Sequence, residues 1–103
     1  MADRTRMEPA DRKAQIVAAA VSIAKSKGYQ QVRWTDIATY LGISRALPCA
    51  YFKTLTQLQR AIMRYAVKHG ELAVIAQGLA ANDSTARKAD SVLKKRALDS
   101  VAA

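Results

Sequence analysis

Residues 34–58 read WTDIATYLGISRALPCAYFKTLTQL, and the glycine near their middle limits the possible folds more than any other residue. Ile37, Ala38 and Leu41 stand at i, i+1 and i+4, one apolar face of a helix barely two turns long. Gly42 follows directly, the residue type that ends a helix in the left-handed conformation at no steric cost. Ser44 is then placed to cap the next helix by accepting a hydrogen bond from an unpaired N–H. Two short helices joined by a three- or four-residue turn containing Gly form the helix-turn-helix pattern, whose second helix enters the DNA major groove.

The flanking sequence supplies more helices and no strands. Pro9 suits a first helical position, and Ile16, Ala20, Ile23 and Ala24 form a core-facing stripe. Lys25, Lys27 and Gly28 close that helix, so it is expected over 9–27, with Tyr29 and Val32 pinned into the core behind it. The next helix is expected over 34–41, where Arg33 is a poor cap. A third falls within 45–53. Thr54-Leu55-Thr56-Gln57 is a capping box that starts a fourth helix at Leu55, with Leu55, Leu58, Ile62, Tyr65 and Ala66 on its apolar stripe and Gly70 at its end. Leu72, Ile75 and Leu79 mark one face of a helix over 71–81, weakened by Gly78. After the break at Asn82-Asp83-Ser84, a single final helix is expected over 85–101, with Ala86, Ala89, Leu93, Ala97 and Val101 inward. The expected fold is all-α, in three parts: a basic arm over 1–8 (Arg4, Arg6), a DNA-binding domain over 9–70, and a helical extension over 71–103.

Charge gives this plan a direction. The 103 residues carry a net charge of +9, and the first seventy hold eight of the nine excess positive charges. A chain this small has no need of such self-repulsion for solubility, so a polyanionic partner is expected at the N-terminal side. The nearly balanced tail is expected to do something else. One cysteine and one histidine leave no internal disulfide and argue against a protein-built zinc site; no cofactor is expected. No Gly-rich phosphate loop, H-E-x-x-H or G-x-S-x-G is present, so no enzyme is expected. No run is apolar enough for a membrane span and no apolar leader opens the sequence, so a cytoplasmic protein is expected.

The span 16–58 resembles the N-terminal DNA-binding domain of TetR-type transcriptional regulators. The resemblance rests on IVAAAVSIAKSKGY, then DIATYLGIS, then AYFKTLTQL, in that order and spacing, and covers about 43 of the 103 residues. It implies a three-helix unit followed by a fourth helix, and a homodimer reading a palindromic operator in double-stranded DNA. The departures concern the reading helix. Ala46-Leu47-Pro48-Cys49 replaces the usual Gly-Thr-Leu-Tyr run, which puts Cys49 where the phosphate-touching Tyr commonly stands. Leu55 replaces a common Lys, and Arg33 the usual Thr or Ser cap. Only the 33 residues 71–103 follow the fourth helix, too few for the family's effector pocket, so no small-molecule effector is expected.

Ser44 and Arg45 would lie at the groove, where Arg donates bidentately to guanine O6 and N7; otherwise they are a cap and a solvated Arg. Leu47 and Ala50 would pack on thymine methyls or else in the core. Tyr51 falls where the family places an aromatic or His beside the DNA backbone, with Lys53, Thr54 and Thr56 around the next helix N-terminus, a phosphate-binding arrangement. Arg33, Trp34 and Thr35 form the matching edge, with Trp34 either donating its indole N–H or buried. Pro48 implies a late start or a distorted first turn. Arg60, Arg64 and Lys68 read as a solvated face, and Cys49 as structural. Dimerisation is expected through Leu72, Ile75, Leu79, Leu93 and Val101. Two other classes compete with a repressor: a basic architectural DNA- or RNA-binding protein without sequence preference, and a protein-interaction subunit.

Overall fold

Apolar residues recurring every three to four positions place most of the chain in helices, and the packing of those helices corrects several sequence expectations. The structure, a computed structural model, describes residues 8–102. Among the described residues there are seven α-helices, one 3-10 turn and no strand. The arm with Arg4 and Arg6 lies outside the described residues.

Helix α1 (Pro9–Lys27) runs through the middle of the packing, touching α2 (Trp34–Leu41), α4 (Leu55–His69) and α5 (Leu72–Ala80). Its buried face is wider than the sequence stripe, since Val17, Ala19 and Val21 join Ile16, Ala20 and Ala24, whereas Ile23 is only half-buried. Three of these six are alanines, whose short side chains let neighbouring backbones approach. Tyr29 opens the 3-10 turn (Tyr29–Gln31), and both it and Val32 are buried. Helix α3 (Ala46–Phe52) follows α2, and α4 adds Leu58, Ile62, Met63 and Ala66 to the core.

The C-terminal helices finish that same core. Val74, Ile75, Ala86 and Ala97 belong to one buried cluster with Ile16, Ile37 and Ile62. This corrects the expected role of Ile75, which is fully buried inside its own chain and out of a partner's reach. The stripe of Leu72, Ile75 and Leu79 is therefore not one outward face. Leu72, Leu79 and Leu93 are half-buried against the core, and the side chain of Val101 lies outside the described residues.

The expected single last helix is two: α6 (Ser84–Arg87) and α7 (Ser91–Ala102). Asp90 causes the interruption. Its carboxylate accepts the Val92 N–H at 2.8 Å and its carbonyl the Lys94 N–H at 2.9 Å, so it caps a new helix where the old one was expected to continue. Lys94 Nζ donates to the Arg87 carbonyl at 2.9 Å, satisfying an acceptor freed where α6 ends.

Two polar links tie α5 and α6 to the end of α1. Gln77 Oε1 accepts the Tyr29 N–H at 2.8 Å, and Gln77 Nε2 donates to the Ala24 carbonyl at 2.8 Å. The Tyr29 hydroxyl donates to Asp83 Oδ2 at 3.3 Å, and Asp83 Oδ1 caps α6 through the Thr85 and Ala86 N–H groups. Burial, then the neighbouring Asp83 charge and the hydrogen bond to it, push the Tyr29 phenol up to about 12. No helix among the described residues is long and apolar enough to cross a membrane.

Gly78 marks the tightest helix contact. A Cβ added there would lie 2.5 Å from Met63 Cε and 2.7 Å from Ala86 Cβ. Helix propensity alone would make Gly78→Ala stabilising by about 1 kcal/mol. The contact reverses the sign: Gly78→Ala is expected to lower the unfolding free energy by about 1–3 kcal/mol, read as an earlier urea midpoint by circular dichroism.

Candidate nucleic-acid interface

Asp36 sets the entry to the segment that carries most of the sequence candidates. Its Oδ2 accepts from Lys27 Nζ at 2.7 Å and from the Arg33 N–H at 2.8 Å, so one carboxylate joins the end of α1 to the start of α2. Arg33 needs no capping side chain, because a carboxylate three residues on takes its N–H. The Lys27 hydrogen bond outweighs the opposing effect of burial and, with the Arg33 N–H, holds the Asp36 carboxyl below its ordinary range. Arg33 Nη1 reaches the Gln30 carbonyl at 3.4 Å, a loose tether.

Helix α2 ends at Gly42, whose φ of 69° and ψ of 39° are left-handed. The N–H groups of Gly42 and Ile43 both turn back to the Ala38 carbonyl. Ser44 Oγ then accepts the Ala46 N–H at 3.2 Å, and the Ser44 carbonyl accepts the Leu47 N–H at 3.1 Å. That last bond accounts for Pro48. Proline has no N–H to return to Ser44, so Leu47 does so one residue earlier and the first turn tightens without breaking. Helix α3 starts at Ala46, and the Pro48 ring is fully buried.

Helix α3 has three faces. Pro48 and Phe52, one turn apart, are buried; Leu47 and Tyr51 are half-buried; Ala46 and Ala50 are exposed. The outward surface is therefore two methyl groups, with exposed Ser44 and Arg45 at one end and exposed Lys53 at the other.

The link to α4 is a three-residue turn about Lys53, whose φ of 70° and ψ of −52° define a γ-turn of the rarer, strained hand. The Thr54 N–H donates to the Phe52 carbonyl at 2.7 Å to close it. This corrects the capping box at Thr54–Gln57. Thr54 Oγ1 does accept the Gln57 N–H at 3.1 Å, but the Thr54 N–H is committed to the γ-turn and leaves Gln57 nothing to return. Thr54 and Thr56 are exposed beside the free first-turn N–H groups of α4.

Arg33 and Thr35 are exposed at the start of α2, while Trp34 is half-buried against the core. Ser44, Arg45, Ala50, Lys53, Thr54 and Thr56 are open to solvent, and Leu47 and Tyr51 are half so. Sequence reading missed Ala46, and it missed Tyr40, which is 59% exposed near the end of α2. No periodic signal separates an outward tyrosine from an inward one on so short a helix.

Pairing redistributes the charge. Lys25 meets Glu71 at 2.9 Å and Lys27 meets Asp36 at 2.7 Å, so two cations of the basic N-terminal side serve the fold. Residues 37–70 contain Arg45, Lys53, Arg60, Arg64 and Lys68 and no acidic residue at all. Among the described residues, no three His, Cys, Asp or Glu side chains are placed to share a metal ion, and Cys49 is half-buried and free.

Two measurements test this geometry. Because its pKa is depressed in the fold, Asp36 stabilises above its unfolded value and the contribution disappears as pH falls through the folded one. Urea midpoints taken from pH 7 to pH 3 should drop in the acid limb below about pH 4, and Asp36→Asn should lower the neutral midpoint and flatten that limb. Lys53→Gly is expected to raise the unfolding free energy by about 1 kcal/mol by relieving the positive φ. Lys53→Ala, which keeps the strain, should leave it unchanged in the same assay.

Against known proteins, no family model, no curated protein and no solved structure matches this chain.

Proposed function

We propose that this chain is a sequence-specific double-stranded DNA-binding transcriptional regulator, a cytoplasmic repressor acting as a homodimer on a palindromic operator without a small-molecule effector. In this reading α2, the turn 42–45 and α3 form a TetR-like helix-turn-helix, with α3 in the major groove. The observation that carries the reading is the unbroken absence of acidic residues over 37–70, around a helix whose outward face is Ala46 and Ala50. A duplex can approach such a surface closely, and no carboxylate of that segment would repel its phosphates.

The roles follow from exposure and chemistry. Arg45 reads a base edge, and Ser44 positions the backbone. Lys53, Thr54 and Thr56, with the N–H groups opening α4, hold one phosphate strand; Arg33 and Thr35 at the start of α2 hold the other. Leu47 and Ala50 pack on thymine methyls, Tyr51 lies beside the DNA backbone, and Trp34 contributes the rim of its indole. The second copy would join through the C-terminal helices, where Leu72, Leu79 and Leu93 are half-exposed and Val92 and Leu98 are open at 65% and 55%. The same outward alanines favour a second reading, a basic binder without sequence preference, since two methyl groups offer no hydrogen bonds to a base.

Selection of bound duplexes from a random pool, followed by isotherms over a salt series, separates the readings. A specific dimer should return a palindrome and prefer it by about 10³ or more over random duplex. A salt slope without that ratio would leave the non-specific binder, and absence of duplex binding at moderate salt would overturn both. Arg45→Ala is expected to cost about 1–3 kcal/mol on the selected site and little on random DNA. Lys53→Ala should weaken all duplexes alike and reduce the salt slope by about 1. Equal loss on every sequence from Arg45→Ala would remove that residue from base reading.

A further inference from the structure

Between α1, α3 and α4 lies a recess of about 260 Å³ whose lining joins residues from three separate parts of the chain. Lys13 comes from α1, Tyr51 and Phe52 from α3, and Gln57, Arg60 and Arg64 from α4. The sequence presented Arg60, Arg64 and Lys68 as one solvated stripe. Folding separates them, because Arg60 and Arg64 face the recess with Lys13 and Lys68 does not line it. The Lys13 ammonium sits 5.4 Å from the centroid of the Phe52 ring, which holds it at the recess.

Among the described residues, none of Lys13, Arg60 and Arg64 forms an ion pair with a carboxylate, and no acidic residue lines the recess. Like charges one helical turn apart repel, so Arg60 and Arg64 are a standing cost to α4 that a counter-anion would remove. Guanidinium groups present forked donors matched to phosphate oxygens, and the Gln57 amide and Tyr51 hydroxyl add neutral donors at the same place. At about 30 Å³ per water in the liquid, the space holds several waters, and a diphosphate fits. Two other recesses, one beside the 3-10 turn and one along α5, are lined by no charged side chain.

We propose that this recess binds a phosphoryl anion, with Arg60 and Arg64 as forked donors and Lys13 as the opposing charge. Such a group comes from one of two sources: the backbone of a duplex extending past Tyr51, or a free phosphoanion of the diphosphate kind. The recess stands apart from the duplex reading, because its first test contains no DNA.

Sodium pyrophosphate is titrated into the full chain at constant ionic strength, followed by 15N-edited spectra that include the arginine Nε–H signals. The expected result is saturable movement of the Arg60 and Arg64 Nε–H signals. The double variant Arg60→Gln/Arg64→Gln should bind at least tenfold more weakly with its backbone spectrum intact, Lys13→Gln should also weaken binding, and Lys68→Gln should behave as the parent chain. Linear drift without saturation, or a double variant and a Lys13→Gln variant that both bind like the parent, overturns the proposal. With binding established, salt slopes on a duplex identify the source. A slope reduced by about 0.9 for each arginine lost assigns the recess to backbone phosphate. An unchanged slope, or no duplex binding at all, assigns it to the free anion.

Discussion

The primary amide of Gln77 is the interaction on which the arrangement of the helices depends. Both of its ends are used across a long sequence separation: the oxygen takes the first N–H of the 3-10 turn, and the nitrogen serves the Ala24 carbonyl near the end of α1. Those backbone groups stand where α1 stops and the chain swings towards α2, so the direction of α2 and α3 is held by a residue of α5. Tyr29 reinforces the link by burying its ring and donating its hydroxyl to Asp83, which in turn starts α6. The helices after residue 70 are thus part of the scaffold that aims α3. Cut at residue 70, the chain would lose the Gln77 bonds to Ala24 and Tyr29 and the part of the cover of α1 that α5 supplies.

Local signals made the first four helices legible. Pro9, Gly28, Gly42, Thr54 and Gly70 act over one turn, and the observed boundaries fall beside them. The C-terminal third reads less well because its decisive contacts are not local. Ile75 looks like an outward leucine-type residue by spacing, yet α5 is flanked by α4 and by α6 and α7, and a helix covered on both sides has no single apolar stripe. Asp90 offers an N-cap inside an otherwise helical pattern, and periodicity does not weigh a cap against continuation. Pro48 read as a disturbance because only its missing N–H was visible; the buried ring is a tertiary fact.

At the candidate interface, residue types were legible and their grouping was not. Ser44, Arg45, Lys53, Thr54 and Thr56 are exposed, in keeping with the segment they occupy. Sequence alone does not show that Lys25 and Lys27 are consumed by Glu71 and Asp36, nor that Lys13 crosses to the side of Arg60 and Arg64. Net charge counts all of these alike. The fold sorts them into cations that brace α1 against its neighbours and cations left facing outward.

The close crossing at Gly78 has a consequence for how such a chain can change. Met63, Gly78 and Ala86 come from three helices and share one small volume. A side chain at position 78 needs space that Met63 and Ala86 now fill, so substitution of this glycine is conditional on those two residues. Among relatives of this chain, a larger residue at position 78 would require a smaller or displaced one at 63 or 86, a correlation arising from shape and independent of any ligand.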